Sequence, residues 1–350
     1  IERHALVSDG RVMGLVAPGA RLVWLCVPRI DGPALFAELL GGPAAGHFTV
    51  EPAAADAPST QTYDGHSLVL RTSWSRLSVT DFLDCSAGRP TQRAGRTDFL
   101  RIVEGRGEVK ITFAPRLDFG RTVTRLVVRE GGLEIDDTID PIVLRAPGVA
   151  WEIQEEGPHQ TAIGRITLRG EPLRLELRYG TGSLREQQSI PVEERFRLTK
   201  AYWESWAERL TLPNREPRLV RRSAVVLKGL CYGPTGGIVA AATTSLPEDF
   251  GGCRNWDYRY CWLRDAAMSA ASLVKLGSFT EAMGFLDWML GVIDRAAAPE
   301  RLMPLYTVTG HEVGAEAEIG QLAGYAGSRP VRVGNAARGQ VQLDVFGPIA

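Results

Sequence analysis

Trp256, Tyr258, Tyr260 and Trp262 occupy every second position between residues 256 and 262, in a chain with only eight tryptophans and eight tyrosines among 350 residues. In an extended segment alternate side chains point the same way, so the four rings are expected to line one surface. Asn255, Asp257, Arg259, Arg264 and Asp265 lie between and just after them. Rings mixed with amide, carboxylate and guanidinium groups suit a sugar. Its C–H faces pack on aromatic rings, and its hydroxyl pairs need charged or amide partners in fixed positions. Two plainer readings stand beside this one. The alternation also fits one face of a core-packed strand, and Asp265 also fits a helix cap, with Arg264 as its surface ion-pair partner. Gly251 and Gly252 ahead of the segment, and its loop-to-helix placement, favour a site, because sites gather on loops held by a rigid scaffold.

The elements that must position this segment change in character along the chain. Val109, Ile111 and Phe113 alternate with polar residues, as do Leu173, Leu175 and Leu177, the period of a half-buried strand. Further strands are expected at 23–27, 67–74, 124–130 and 164–170, separated by turn-rich pieces. One short helix is expected over 33–42, with Pro33 at its start and glycine at its end. This pattern predicts an antiparallel β-sandwich over residues 1–192. Residues 193–210 carry helical spacing and LPNREP (212–217) breaks it, so 193–217 reads as a helical linker. From 218 to 350 the chain reads as helices joined by long loops. One helix covers 218–233, a second runs from Arg264 to Leu276 and stops at Gly277, and a third opens with a capping box, Ser278 and Glu281. That third helix should bury Phe285, Leu286, Met289, Leu290 and Ile293 on one face. Four or so helices ending at FGPIA would leave a large apolar surface uncovered, so this region is expected to be cut short.

Composition narrows the function classes. The chain is long for one domain and comfortable for two. Acidic residues outnumber basic ones by 41 to 40, so no net field draws the protein to nucleic acid or an anionic membrane. No run of 18 apolar residues occurs, which speaks against a membrane-spanning helix. The first residues lack the apolar core of a signal peptide, although the chain starts at Ile1, so an upstream piece could have been removed. Cys26, Cys85, Cys231, Cys253 and Cys261 form no CxxC pair, their number is odd, and no Asn-x-Ser/Thr sequon occurs. A cytoplasmic location is expected from this. His4, His47, His66, His159 and His311 show no ligand spacing, so no metal site is expected. GPTGG (233–237) lacks the frame of a phosphate loop, and Ser67 and Ser269 lie in no G-x-S-x-G frame. No cofactor is called for.

Three blocks carry a resemblance. TTSLPEDFGGCRNWDYRYCWLRDAAMS (243–269) closely resembles the first active-site motif of glycoside hydrolase family 15, which contains glucoamylases and bacterial-type trehalases. GYAGSRPVRVGNAARGQVQLDVFG (324–347) resembles the next substrate-site block of that family. VWLCVPRIDGPALFAELLGG (23–42) is similar to the β-sandwich domain ahead of the barrel in the trehalase-like branch.

The resemblance implies an (α/α)6 barrel, present here in its first part (218–350), and hydrolysis of α-glucosides with inversion. By match to the motif, Arg264 and Asp265 would hold the far hydroxyls of the non-reducing glucose, Tyr258 would lie beside its ring, and Trp262 would wall the pocket beside Trp256. Arg332 matches a family arginine near the same subsite. An inverting glycosidase also needs a protonated carboxyl for the leaving group and a carboxylate to activate water. The resemblance puts both beyond Ala350, so no catalytic acid or base is assigned here and the isolated chain is expected to be inactive. The sandwich type, and Gly327 where glucoamylases tend to carry an aromatic residue, favour trehalose over malto-oligosaccharides. A glucoamylase, a noncatalytic carbohydrate-binding protein and a phosphorylase remain as alternatives. The expected partner is an α-glucoside, with no nucleic acid or membrane; oligomeric state is open.

Overall fold

Large apolar residues at alternate positions turn the first half of the chain into strands, because one face of each can then be buried while the other stays polar. The computed structural model describes residues 1–350 except 55, 59, 88–94, 187–189 and 350. They group into two compact units, Ile1–Glu38 with Gly42–Glu204, and Leu39–Gly41 with Ser205–Ala350.

In the first unit fifteen strands join in one large antiparallel sheet. Its main path runs Ala5–Ser8, Met13–Ala17, Arg21–Cys26, His47–Pro52, Thr97–Ala114, Leu173–Tyr179, Ile142–Arg145, Gly132–Ile135 and Leu126–Arg129. Thr97–Ala114 is the pivot. Its first half pairs with Leu77–Leu83 and Leu173–Tyr179, its second half with His47–Pro52 and His159–Arg169. The strand changes partners at Gly105 and Gly107, whose φ values are +138° and +121°. A Cβ on Gly105 would lie 2.1 Å from the Arg76 carbonyl oxygen, so only glycine fits this bend. Residues from both halves of the sheet, among them Val7, Phe48, Val79, Phe99, Phe113, Leu133 and Leu175, form one buried cluster. Each such side chain contributes about 1.5–3 kcal/mol by leaving water. Two buried arginines of the unit are paired: Arg101 meets both Asp81 oxygens at 2.8 and 3.1 Å, and Arg195 reaches Asp84, Asp98 and Glu176 at 2.6–2.8 Å.

The helix expected over 33–42 is mostly absent. Ala34–Phe36 is a strand paired with Arg21–Cys26, and only Glu38–Gly41 makes one helical turn. Phe36 is fully buried and meets the edge of Phe113 at 6.0 Å, so packing into the sheet overrides a short apolar run that reads equally as helix or strand.

The second unit is helical with long loops. Its helices include Pro217–Gly229, Leu263–Lys275 and Phe279–Arg295. Ser278 does sit at the start of the last of these. However, its hydroxyl bonds the Glu281 carboxylate and accepts from Trp206 Nε1 at 3.0 Å, and no bond from it reaches a backbone N–H. The buried face of that helix is Phe285, Trp288, Met289 and Val292, spaced i, i+3, i+4, i+7, while Leu286 and Leu290 are exposed. Trp288 and Val292 take the buried places expected for Leu286 and Leu290, and the Trp288 indole N–H donates to the Val308 carbonyl at 3.0 Å. No helix of the described residues is long and apolar enough to cross a membrane. The loops carry two short pairings, Cys261–Trp262 with Leu305–Tyr306 and Ala317–Glu318 with Arg332–Val333.

Candidate functional site

Residues 255–262 run extended because a neighbouring loop strand binds their backbone. The amides of Ala240, Ala241 and Ser245 donate to the carbonyls of Tyr260, Tyr258 and Trp256 at 2.9–3.0 Å. Alternation then sorts the segment into two faces. Asn255, Asp257, Arg259 and Cys261 are at most 1% exposed, whereas Trp256 and Tyr258 are half-buried and Tyr260 and Trp262 are 6% and 8% exposed.

The inward face is scaffold. Arg259 Nε and Nη2 donate to the two Asp257 oxygens at 2.9 and 2.7 Å, and the Arg259 backbone N–H adds a third bond at 3.2 Å. Such a buried pair holds only because each charge compensates the other. Asn255 Nδ2 donates to the Gly252 and Pro330 carbonyls at 3.1 and 3.3 Å. The polar groups interleaved with the rings therefore do not share the ring face. Sequence spacing could have shown this, since a period of two separates odd from even positions.

On the other face Tyr258 and Trp262 meet with ring centroids 6.1 Å apart and planes at 56°. Tyr260 and Trp262 pack with Leu305, Val313 and Ala337, so these two rings are also core. Trp262 is the N-cap residue of helix Leu263–Lys275, which puts Arg264 and Asp265 in its first turn. Asp265 is thus not the cap, although a carboxylate there is favoured by the helix dipole. The Arg264 and Asp265 side chains are 39% and 44% exposed, and Arg264 Nη2 stands 3.3 Å from Asp265 Oδ2. Arg264 Nη1 donates to Asp344 Oδ2 at 2.6 Å, and its guanidinium lies 5.9 Å from the Trp262 ring centroid. The bond to Asp344 first, and the Asp265 charge after it, hold the Arg264 pKa above its ordinary value. Burial, with the charges of Glu248 and Asp265, pushes the Tyr258 hydroxyl up. Trp262 Nε1 is shielded from solvent and makes no hydrogen bond, whereas Asp265 Oδ2 is shielded with Arg264 Nη2 as its ion-pair partner at 3.3 Å. Shielded polar atoms in a folded protein nearly always have partners, so the Trp262 indole N–H beside Tyr258 is a donor left free for a polar ligand.

Arg332 comes from the second block and clasps the first. Its Nη1 donates to the Cys253 and Asn255 carbonyls, both at 3.0 Å, its Nε stands 3.2 Å from Glu316 Oε1, and its guanidinium lies 4.6 Å from the Trp256 ring centroid. Its backbone N–H donates to Ser245 Oγ at 2.7 Å. Asn335 Nδ2 bonds the Asp257 carbonyl at 3.1 Å. The structure thus gathers Tyr258, Trp262, Arg264 and Asp265, and stacks Arg332 on Trp256 beside them. Sequence reasoning missed Asp344 and Glu316 as neighbours. Asp344 lies 80 positions from Arg264, and no local spacing pairs residues so far apart. Among the described residues no group of three or more His, Cys, Asp or Glu could hold a metal ion.

The family description "Trehalase-like, N-terminal" matches residues 1–203, and "Glycosyl hydrolases family 15" matches residues 215–350. The chain belongs to glycosyl hydrolase family 15, in its trehalase-like branch. Among relatives of this branch, the trehalase of Mycobacterium tuberculosis is 32% identical over 386 residues, covering 100% of this chain and 55% of that protein. Trehalase 1 of Sulfolobus acidocaldarius is 32% identical, covering 97% of this chain and 57% of that protein. The trehalase of Thermoplasma volcanium is 31% identical, covering 100% and 56%. The chain therefore spans little more than half the length of these family 15 relatives. All six residues of the candidate site, Trp256, Tyr258, Trp262, Arg264, Asp265 and Arg332, fall in the region matched to family 15.

Proposed function

We propose that the protein is an α-glucoside hydrolase acting on trehalose, and that this chain supplies the part of its site that holds the non-reducing glucose. The observation that carries this reading is the shielded, unbonded Trp262 Nε1 beside Tyr258, with the Arg264–Asp265 ion pair in the first turn of the helix that follows. Glucose offers partners to each of these groups: hydroxyl hydrogens for Asp265, a hydroxyl oxygen for Trp262 and Arg264, and an apolar C–H face for the rings. Arg264, held by Asp344 on one side, keeps a fixed fork toward the sugar while Asp265 accepts from adjacent hydroxyls. Tyr258 lies beside the ring, where a polarisable aromatic edge favours the oxocarbenium-like transition state. Arg332 acts as a positioning residue. Its guanidinium is engaged by two backbone carbonyls, Glu316 and the Trp256 face, so it sets the course of the segment rather than touching the sugar.

The reading extends to inversion at the anomeric carbon, to an (α/α)6 barrel of which residues 218–350 form part, and to a division into 1–192, 193–217 and 218–350. Inversion requires one carboxyl to protonate the leaving oxygen and one to activate water on the opposite face. Neither role is assigned to Glu248, Glu316 or Glu318. Glu248 is paired with Arg254 at 2.7 Å, Glu316 serves Arg332 and the Ala336 amide, and Glu318 stands 3.9 Å from Arg332. Trehalase names among the relatives, and the matched N-terminal domain, support trehalose over starch. The test is glucose release by the full-length protein from trehalose, maltose, isomaltose and starch. Turnover of trehalose above the others is expected. Turnover of starch with none of trehalose overturns the substrate, and binding of trehalose without any hydrolysis overturns the enzyme reading.

A further inference from the structure

Phe250 is 77% exposed, an unusual state for a large aromatic side chain, and it is not alone. Tyr325 stacks on it with ring centroids 6.2 Å apart and planes at 23°. The two rings come from loops 75 positions apart that are lashed together. The Gly251 amide donates to Ser328 Oγ at 2.8 Å, Ser328 is fully buried, and Asn255 Nδ2 donates to the Pro330 carbonyl at 3.3 Å. Gly251 and Gly327 flank the pair, and a Cβ built on either meets no atom within 4 Å, so the space beside the rings is open. Exposed polar groups surround it: Arg254 pairs with Glu248 at 2.7 Å and with Asp249 at 3.1 Å. The same loop leads into the candidate site: Arg332 bonds the Cys253 and Asn255 carbonyls, and the segment runs on directly to Trp256 and Tyr258.

We propose that Phe250 and Tyr325 form a platform for the second sugar ring of the substrate, the one on the leaving-group side of the scissile bond. This rests on the reading of Tyr258, Trp262, Arg264 and Asp265 as the holder of the non-reducing glucose. An apolar, rigid pair of rings rimmed by carboxylates and a guanidinium is what a pyranose needs when it is held on one C–H face and by its edge hydroxyls. A platform of this kind acts only on substrates that have a second ring. It adds nothing to a substrate whose leaving group is a single atom.

The experiment compares trehalose with α-D-glucosyl fluoride on the full-length protein, in wild type, Phe250→Ala, Tyr325→Ala and Phe250→Trp. Both alanine variants should raise KM for trehalose about tenfold while kcat and KM for the fluoride stay within twofold of wild type. Phe250→Trp should keep trehalose KM near wild type. The melting temperatures of the Phe250 variants should not move, because Phe250 is a surface ring. Unchanged trehalose KM in both alanine variants overturns the platform, as does an equal loss on both substrates. A wild-type protein that cleaves the fluoride but not trehalose overturns the substrate assignment itself, and that failure shows before any variant is made.

Discussion

Replacing Asp257 and replacing Asp265, eight positions apart in one segment, should give opposite phenotypes. The Asp257 side chain is fully buried and binds a guanidinium that is only 2% exposed, through two bonds of 2.9 and 2.7 Å. Asp257→Ala leaves that charge without its carboxylate, which costs about 3–5 kcal/mol. The melting temperature should fall by on the order of 10 °C. Asp265 is 44% exposed, and its partner Arg264 keeps a second carboxylate, Asp344, at 2.6 Å. Losing a contact of this kind changes stability by about 0–1 kcal/mol. The same carboxylate should accept two sugar hydroxyls, and each charge-assisted bond is worth about 1.5–3 kcal/mol. Asp265→Asn should therefore lower kcat/KM for trehalose by about 100- to 10,000-fold with an unchanged melting temperature. Melting curves and steady-state kinetics on full-length variants read both quantities. A collapsed melting temperature with normal specific activity in the Asp265 variant would refute the reasoning. So would a stably folded Asp257→Ala protein that has lost turnover.

Further outcomes follow from the same geometry. Arg332→Lys removes the fork that bonds two carbonyls and stacks on Trp256, so kcat/KM should fall about 10- to 100-fold on trehalose and α-D-glucosyl fluoride alike; a loss confined to trehalose would contradict a positioning role. Asp344→Ala frees Arg264 from its 2.6 Å partner and should raise trehalose KM about tenfold with little change in melting temperature, which kinetics on the variant checks. Asp9 is buried and its carboxyl is pushed up to about 6, chiefly by burial, while it accepts bonds from the Arg11 and Val12 amides at 2.8 and 2.9 Å. The native state then holds a proton that the unfolded chain releases above about pH 4, so this residue's contribution to stability is lost as pH rises from about 4 to 6. Asp9→Asn can keep both amide bonds, so at pH 7 it should melt above wild type, by up to about 3 kcal/mol of stability, and the gap should close toward pH 4. A gap that does not change with pH rules this out.

Much of the molecule was legible in the sequence because period and polarity are local. The alternation at 109–113 and 173–177 marked strands, and the stop at Gly277 marked the end of helix Leu263–Lys275. The stretch 33–42 misled because Ala34–Phe36 is too short for its period to distinguish strand from helix, and the deciding contact, Phe36 on Phe113, is distant in sequence. At the site, residues 256–265 announced themselves by type and spacing. Their partners did not. Asp344 and Arg332 reach the segment only through the fold, as does the division that turns Asp257 and Arg259 inward while leaving Asp265 at the surface.

The central claim is that Asp265 and its neighbours hold the glucose whose bond is broken. Its most direct test is proton NMR of trehalose hydrolysis by the full-length protein and by Asp265→Asn. The wild type should release β-glucose and α-glucose in equal amounts at the earliest times, one inverted and one from the leaving group, and the variant should release neither at a comparable rate. Glucose released at the wild-type rate by Asp265→Asn would contradict it, and glucose appearing only as the α-anomer would contradict inversion.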